Sequence, residues 1–241
     1  MKAGLLCLAL VSAAAAAEPR RSGLEFMSPA TQALQRDDTQ NPAWLWLKDG
    51  EQRFASQCVR CHAGDTMRGV ATRYPAFDTA LARPVTLSER INLCRTRYLS
   101  APAWPAESEE LLGLETFVAN ASRGLPIAPT PDARLAPFRE RGRQLYNQRL
   151  GQLDFSCAQC HDQNAGGRLA GSVIPQAHPT GYPIYRLEWQ GMGSLQRRLR
   201  NCMAGVRAEP WPYGAAELVA LELYLMQRAA GMAIETPAVR P

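Results

Sequence analysis

The sequence is poor in histidine and in aromatic residues and, beyond its N-terminus, has no long apolar run. Three histidines stand among 241 residues, and aromatic residues make up 7%. Past the first residues no stretch approaches the ~20 apolar positions of a membrane-spanning helix, which excludes a helical membrane span. The chain also lacks the charge bias of disorder and the glycine period of collagen. It is 46% hydrophobic, with 18 glycines and 18 prolines, enough for a buried core in one large or two small domains. A formal charge of +5 invites nucleic acid as a partner, but the cysteines redirect that reading.

The N-terminus reads as an export signal. Lys2 supplies positive charge, Leu5 to Val11 an apolar core, and Ser12 to Ala17 the small residues of a cleavage site. Residues 1–17 are therefore expected to be removed after export to the periplasm. Cys7 lies inside the apolar core without small residues before it, so it is no lipoprotein anchor and leaves with the signal. Six cysteines remain. An even number in an oxidising compartment suggests disulfides, but the spacing argues otherwise.

Cys58-Val59-Arg60-Cys61-His62 and Cys157-Ala158-Gln159-Cys160-His161 both follow C-x-x-C-H, the pattern of c-type haem attachment. The two thiols add to the haem vinyl groups and the histidine ligates iron. The competing reading, a pair of thioredoxin-like redox motifs, lacks the strand–motif–helix context such sites need. Two covalent haems c are expected. Their propionates carry about −4 at neutral pH, which offsets the arginine excess. Nucleic acid is then not needed to explain the charge.

The chain repeats itself. Leu87, Arg90, Ile91 and Cys94 return as Leu195, Arg198, Leu199 and Cys202, an offset of 108. Trp104-Pro105, Glu110-Leu111, Leu114-Glu115 and Gly124 return as Trp211-Pro212, Glu217-Leu218, Leu221-Glu222 and Gly231, an offset of 107. The haem motifs are offset by 99, so the second copy carries a longer loop between motif and helix. The fold class expected is mainly α, a tandem duplication of two class I cytochrome c-like domains, 18–128 and 129–241, joined at the proline-rich 126–131 segment. Helices are expected over 44–57 and 136–149 before the motifs, and over 108–121 and 215–229 at the close of each domain. The i, i+4, i+7 spacing puts Cys94 and Cys202 on the apolar faces of further short helices.

A low-spin haem needs a second axial ligand. In the first repeat His62 exhausts the histidines and Met67 lies too near the motif. The second repeat offers His178, Met192, Cys202 and Met203. Only Cys202 has an equivalent, Cys94, in the other copy, so cysteine is the parsimonious sixth ligand to both irons. A Cys94–Cys202 disulfide, two buried apolar cysteines, and ligation by His178 or Met192 stay open as alternatives. Trp104 and Trp211 recur together and read as packing residues.

The stretch from Arg198 through Cys202 and Arg207 to the following helix, with Gly181 to Gln190 before it, resembles the SoxA family, dihaem cytochromes of the thiosulfate-oxidising Sox system. The resemblance implies a heterodimer with a small monohaem c-type cytochrome, SoxX. It also implies oxidative conjugation of thiosulfate to a cysteine of the carrier SoxYZ, with two electrons leaving through haem to an acceptor cytochrome c. By the same resemblance Cys202 is the catalytic sulfur, commonly a persulfide in the family. Arg198 and Arg207 then become candidates for the sulfonate end of thiosulfate, because guanidinium forks suit oxyanions. Arg198 competes with a structural role, since Arg90 occupies its place beside Cys94 and both suit haem propionates. A dihaem thiosulfate dehydrogenase forming tetrathionate and a non-enzymatic dihaem electron carrier are the alternatives.

Overall fold

The computed structural model describes residues 19–64, 66–169 and 171–241; the segment read as an export signal lies outside them. Two similar helical units follow one another. In the first, α2 (Trp44–Gln57) leads into the Cys58–His62 turn, and a hairpin of β1 (Ala76–Asp78) and β2 (Arg83–Val85) precedes α3 (Leu87–Tyr98) and α4 (Glu109–Asn120). In the second, α5 (Ala136–Asn147) precedes a one-turn helix, α6 (Cys157–His161). A hairpin of β5 (Ile184–Arg186) and β6 (Gly191–Gly193) is followed by α7 (Leu195–Gly205) and α8 (Ala216–Arg228). The tandem cytochrome c plan expected from the sequence is the plan observed.

Each unit is built around a helix crossing that requires a glycine. A Cβ on Gly50 of α2 would stand 2.0 Å from the Gly113 carbonyl oxygen of α4, and one on Gly142 of α5 would stand 2.1 Å from the Ala220 oxygen of α8. Such contacts are far inside van der Waals range, so the backbones approach as only glycine permits. Leu111, Leu114 and Val118 of α4 pack with Leu87 and Ile91 of α3; Leu221 and Leu225 of α8 pack with Leu145 and Tyr146 of α5. The helices α3 and α7 begin where Thr86 and Ser194 accept a hydrogen bond from the backbone N–H three residues on, the usual N-cap device.

The two units are stitched together. The segments after α4 and α8 run antiparallel, with Ile127 N–H donating to the Met232 carbonyl at 2.8 Å and Ile234 N–H to that of Leu125 at 3.0 Å. The C-terminal strand β7 (Ala238–Arg240) lies parallel to β5 and is held from the N-terminal side. Helix α1 (Pro29–Arg36) supplies Gln35, whose Oε1 accepts from Val239 N–H at 3.0 Å. Ala43, Leu112, Tyr185, Met192 and Val239 form a core across the seam. The nine extra residues of the second unit accommodate a short hairpin, β3 (Arg168–Leu169) and β4 (Ser172–Val173).

Candidate functional site: the Cys202 cavity

A cavity of about 470 Å³ lies in the second unit. The helix α7 presents Leu195, Leu199 and Cys202 on one face. The two leucines pack toward the α5–α8 core, and all three residues border the cavity. The helix α6 starts at Ser156, whose hydroxyl accepts from Gln159 N–H while the Gln159 side chain reaches back to Ser156 N–H. This capping box holds Cys157 and Cys160 one turn apart, with His161 next. Nδ1 of His161 lies 2.6 Å from the Pro175 carbonyl. A carbonyl only accepts, so Nδ1 carries the proton and Nε2 is left for a metal.

These side chains converge. His161 lies beside the Cys202 sulfur, and Cys157 and Cys160 lie close enough to feel its charge. Burial pushes the Cys202 thiol up, but the polar surroundings, with the guanidiniums of Arg198 and Arg186 among them, outweigh it and hold the thiol below its ordinary value. Burial, helped by the charge on Cys202, pushes Cys157 the other way, up to about 12. The set fits a c-type haem: paired thiols for the vinyl groups, an oriented histidine, a facing sulfur and a cavity beside them. Among the described residues no three His, Cys, Asp or Glu side chains gather to hold a bare ion; iron within a porphyrin needs only two axial ligands.

The remaining lining is cationic. Arg168, Arg186, Arg198 and Arg240 all border the cavity, with no Asp or Glu side chain among the lining residues. Arg240 is already held by Glu235 at 2.8 Å and by Gln35. Arg207 is elsewhere: its backbone takes a left-handed φ of +57° just past α7, and its side chain is exposed and does not line the cavity.

The first unit assembles the same set more loosely. Cys58 and Cys61 flank the turn after α2, where His62 N–H donates to the Cys58 carbonyl at 2.9 Å. Cys94 on α3 is close enough to raise the Cys58 thiol, after burial. Burial also pushes Cys94 up, the opposite of Cys202. Arg90, expected to suit a propionate, instead pairs with buried Asp78 at 2.8 Å, beside Arg97 at 3.1 Å.

A family model described as the SoxA/TsdA cytochrome c domain matches twice, over residues 43–127 and 141–234. The chain belongs to the SoxA/TsdA family. Curated relatives named L-cysteine S-thiosulfotransferase subunit SoxA include one from Rhodovulum sulfidophilum, 33% identical over 91% of this chain and 80% of its own length. Another, from Paracoccus pantotrophus, is 31% identical over 91% and 78%. The crystal structure of SoxXA from P. pantotrophus matches with a TM-score of 0.88 at 31% identity, covering 92% of this chain and 87% of that one. A SoxA/TsdA cytochrome c domain is a site of covalent haem c attachment, which is what the C-x-x-C-H motifs call for.

Several alternatives left open by the sequence of this SoxA/TsdA chain are narrowed by placement. All six cysteines of the described residues are free, so Cys94 and Cys202 form no disulfide. Met192 is buried in the seam core, away from the cavity. His178 borders the cavity and stays open as an alternative, its Nδ1 donating to the Arg21 carbonyl at 2.9 Å as that of His161 does to Pro175. Trp104 packs under the Arg95 guanidinium, 3.4 Å from the ring centre, and Trp211 packs on the second core. Sequence reasoning passed over Arg186. The signal for it was Tyr74-Pro75-Ala76-Phe77-Asp78 against Tyr182-Pro183-Ile184-Tyr185-Arg186, the same segment with its last charge reversed.

Proposed function

We propose that this chain is the dihaem subunit of an L-cysteine S-thiosulfotransferase. It would work in the periplasm, paired with a small SoxX-like monohaem c-type cytochrome. The observation that carries this reading is that Cys202 and His161 border one arginine-lined cavity, with Cys157 and Cys160 close beside Cys202. The relatives' name and the likeness to SoxXA support it. In this reading Cys58, Cys61 and His62 hold one haem c, and Cys157, Cys160 and His161 the other. Cys94 and Cys202 would be the further ligands to the two irons.

The overall reaction joins a carrier thiol to the outer sulfur of thiosulfate: R–SH + S₂O₃²⁻ → R–S–S–SO₃⁻ + H⁺ + 2e⁻, with a SoxYZ-like carrier as R–SH and an acceptor cytochrome c taking the electrons. Haem supplies the one-electron redox chemistry. The chain's own residues do the rest. Cys202, held toward thiolate, presents a polarizable sulfur to the outer sulfur of thiosulfate, and in the persulfide form that sulfur extends further into the cavity. Arg198, one turn before Cys202 and on the same face, neutralises the sulfonate. Arg207 lies outside the cavity, exposed just past the end of α7. Pro175 keeps His161 in a single tautomer.

The family description spans SoxA and TsdA, so a thiosulfate dehydrogenase forming tetrathionate is the second reading. The purified heterodimer is given thiosulfate and an acceptor cytochrome, with and without a cysteine-bearing carrier. A carrier adduct carrying the thiosulfate atoms is the expected result. Tetrathionate without carrier would replace the first reading with the second, and no turnover would leave an electron carrier.

A further inference from the structure

The two repeats differ at one charged position in a way that separates their chemistry. Asp78 ends β1 and Arg186 ends β5; each pairs across its hairpin with the first residue of its return strand, Arg83 or Gly191. They are the same position, 108 residues apart, as are Arg90 and Arg198 on the helices that follow. In the first repeat Asp78 is 4% exposed and pairs with both Arg90 and Arg97, so the counterpart of Arg198 is already held by a carboxylate there. In the second repeat the carboxylate is replaced by a guanidinium. Arg186 and Arg198 then border the same cavity as Cys202.

Neither arginine is satisfied from within. The Arg186 side chain is 12% exposed and its one ion pair, at 2.9 Å, is to Glu188, which is 51% exposed. Its Nε is buried without any hydrogen-bond partner. Arg198 forms no salt bridge among the described residues. Two neighbouring guanidiniums with a buried idle donor cost free energy unless an anion completes them. Arg240, by contrast, is already committed to Glu235 and Gln35.

We infer that Arg186 and Arg198 form a two-arginine clamp for the sulfonate oxygens of thiosulfate, created in the second repeat by exchanging the acid at the Asp78 position for Arg186. The inference rests on the thiosulfotransferase reading and deepens it. The clamp orients the dianion so that its outer sulfur meets Cys202. It also explains why a cysteine-facing haem site in the first repeat would not bind substrate, since Asp78 occupies the place the anion needs. A haem propionate offers the same carboxylate-like chemistry as a partner for Arg186, and the experiment separates the two.

The test uses the intact heterodimer with both haems attached, in wild-type, Arg186→Gln, Arg186→Lys and Arg186→Asp forms. Thiosulfate and sulfite binding are followed by the optical and EPR spectra of the cysteine-ligated haem, alongside KM, kcat and the haem reduction potential. Arg186→Gln is expected to weaken thiosulfate binding by about 10- to 100-fold, the loss of one charge-assisted contact. Arg186→Lys should recover part of the affinity. Arg186→Asp writes the first repeat's residue into the second. It should fold with full haem content, because Asp78 and Arg90 show that the pairing is accommodated, and it should lose thiosulfate binding altogether. An unchanged thiosulfate Kd in Arg186→Gln and Arg186→Asp, with a shifted haem potential, would assign Arg186 to a propionate and overturn the clamp while leaving the enzyme reading intact. A wild-type heterodimer that neither binds thiosulfate nor loads the carrier would remove both.

Discussion

Glu115 of α4 and Glu222 of α8 occupy the same position in the two repeats and meet across a cavity of about 320 Å³ at the seam. Ser88 donates to Glu115, and Gln196, 108 residues further on, hydrogen-bonds Glu222. Burial pushes Glu115 up to about 7 and, with the charge of Glu115 added, Glu222 up to about 8. Both hold protons that an unfolded glutamate, at about 4.3, releases.

The sign of the resulting pH dependence follows directly. Raised carboxyl values mean that the folded state binds the extra protons, so the stabilisation is full below about pH 4.3 and is lost as pH rises toward 8. Denaturant midpoints should therefore fall between pH 5 and 8. Glu222→Gln should flatten that slope and raise stability at pH 8. A slope unchanged in the variant would show that the pair does not titrate in this range.

Asp78 gives the opposite sign at acid pH. The Leu81 backbone N–H, then Arg97 and Arg90, hold it at about 2. Its contribution is present above about pH 4 and disappears as pH falls toward 2. Asp78→Asn should lower stability at pH 6 and remove this part of the acid transition, read by chemical unfolding at several pH values.

Gly50→Ala and Gly142→Ala should each force a helix crossing apart. With carbonyl oxygens 2.0 and 2.1 Å from the new methyl group, each substitution is expected to cost about 2–3 kcal/mol, or roughly 5–10 °C in Tm. Gly205→Ala, where nothing lies within 4 Å, is the control and should not lower Tm.

Cys202→Ala should abolish turnover while both haems stay attached, because attachment depends on the C-x-x-C-H residues. Cys94→Ala should alter the spectrum of the first haem and leave most of the thiosulfate turnover. Mass of the haem-bearing chain, optical spectra and carrier loading check both. Full turnover in Cys202→Ala would end the proposed mechanism.

Much of the architecture was readable before any coordinates, for a physical reason: the chain states its plan twice. The helix expected over 44–57 is α2 to the residue, and 136–149 shortens by two because Gln148 turns to extended backbone at ψ 131°. The cysteine helices follow from the i, i+4, i+7 spacing that their packing requires. The cavity wall was not readable in this way. Its hairpin β3–β4 is two residues per strand, too short for any period to show. Arg207 stood beside Arg198 as a candidate because nothing in a linear comparison reveals its left-handed φ or that it lies outside the cavity. Arg186 gains meaning only when β1 and β5 are laid over one another.

The strand β7 and the N-terminal turn give the molecule an order of assembly. Gly23, Phe26, Met27 and Ser28 border the Cys202 cavity together with Arg240 and Pro241, so its wall draws on both the early and the late parts of the described chain. No nascent chain can complete that wall before Arg240 and Pro241 have been made. The second C-x-x-C-H is therefore made, and open to modification, before the enclosure around it exists.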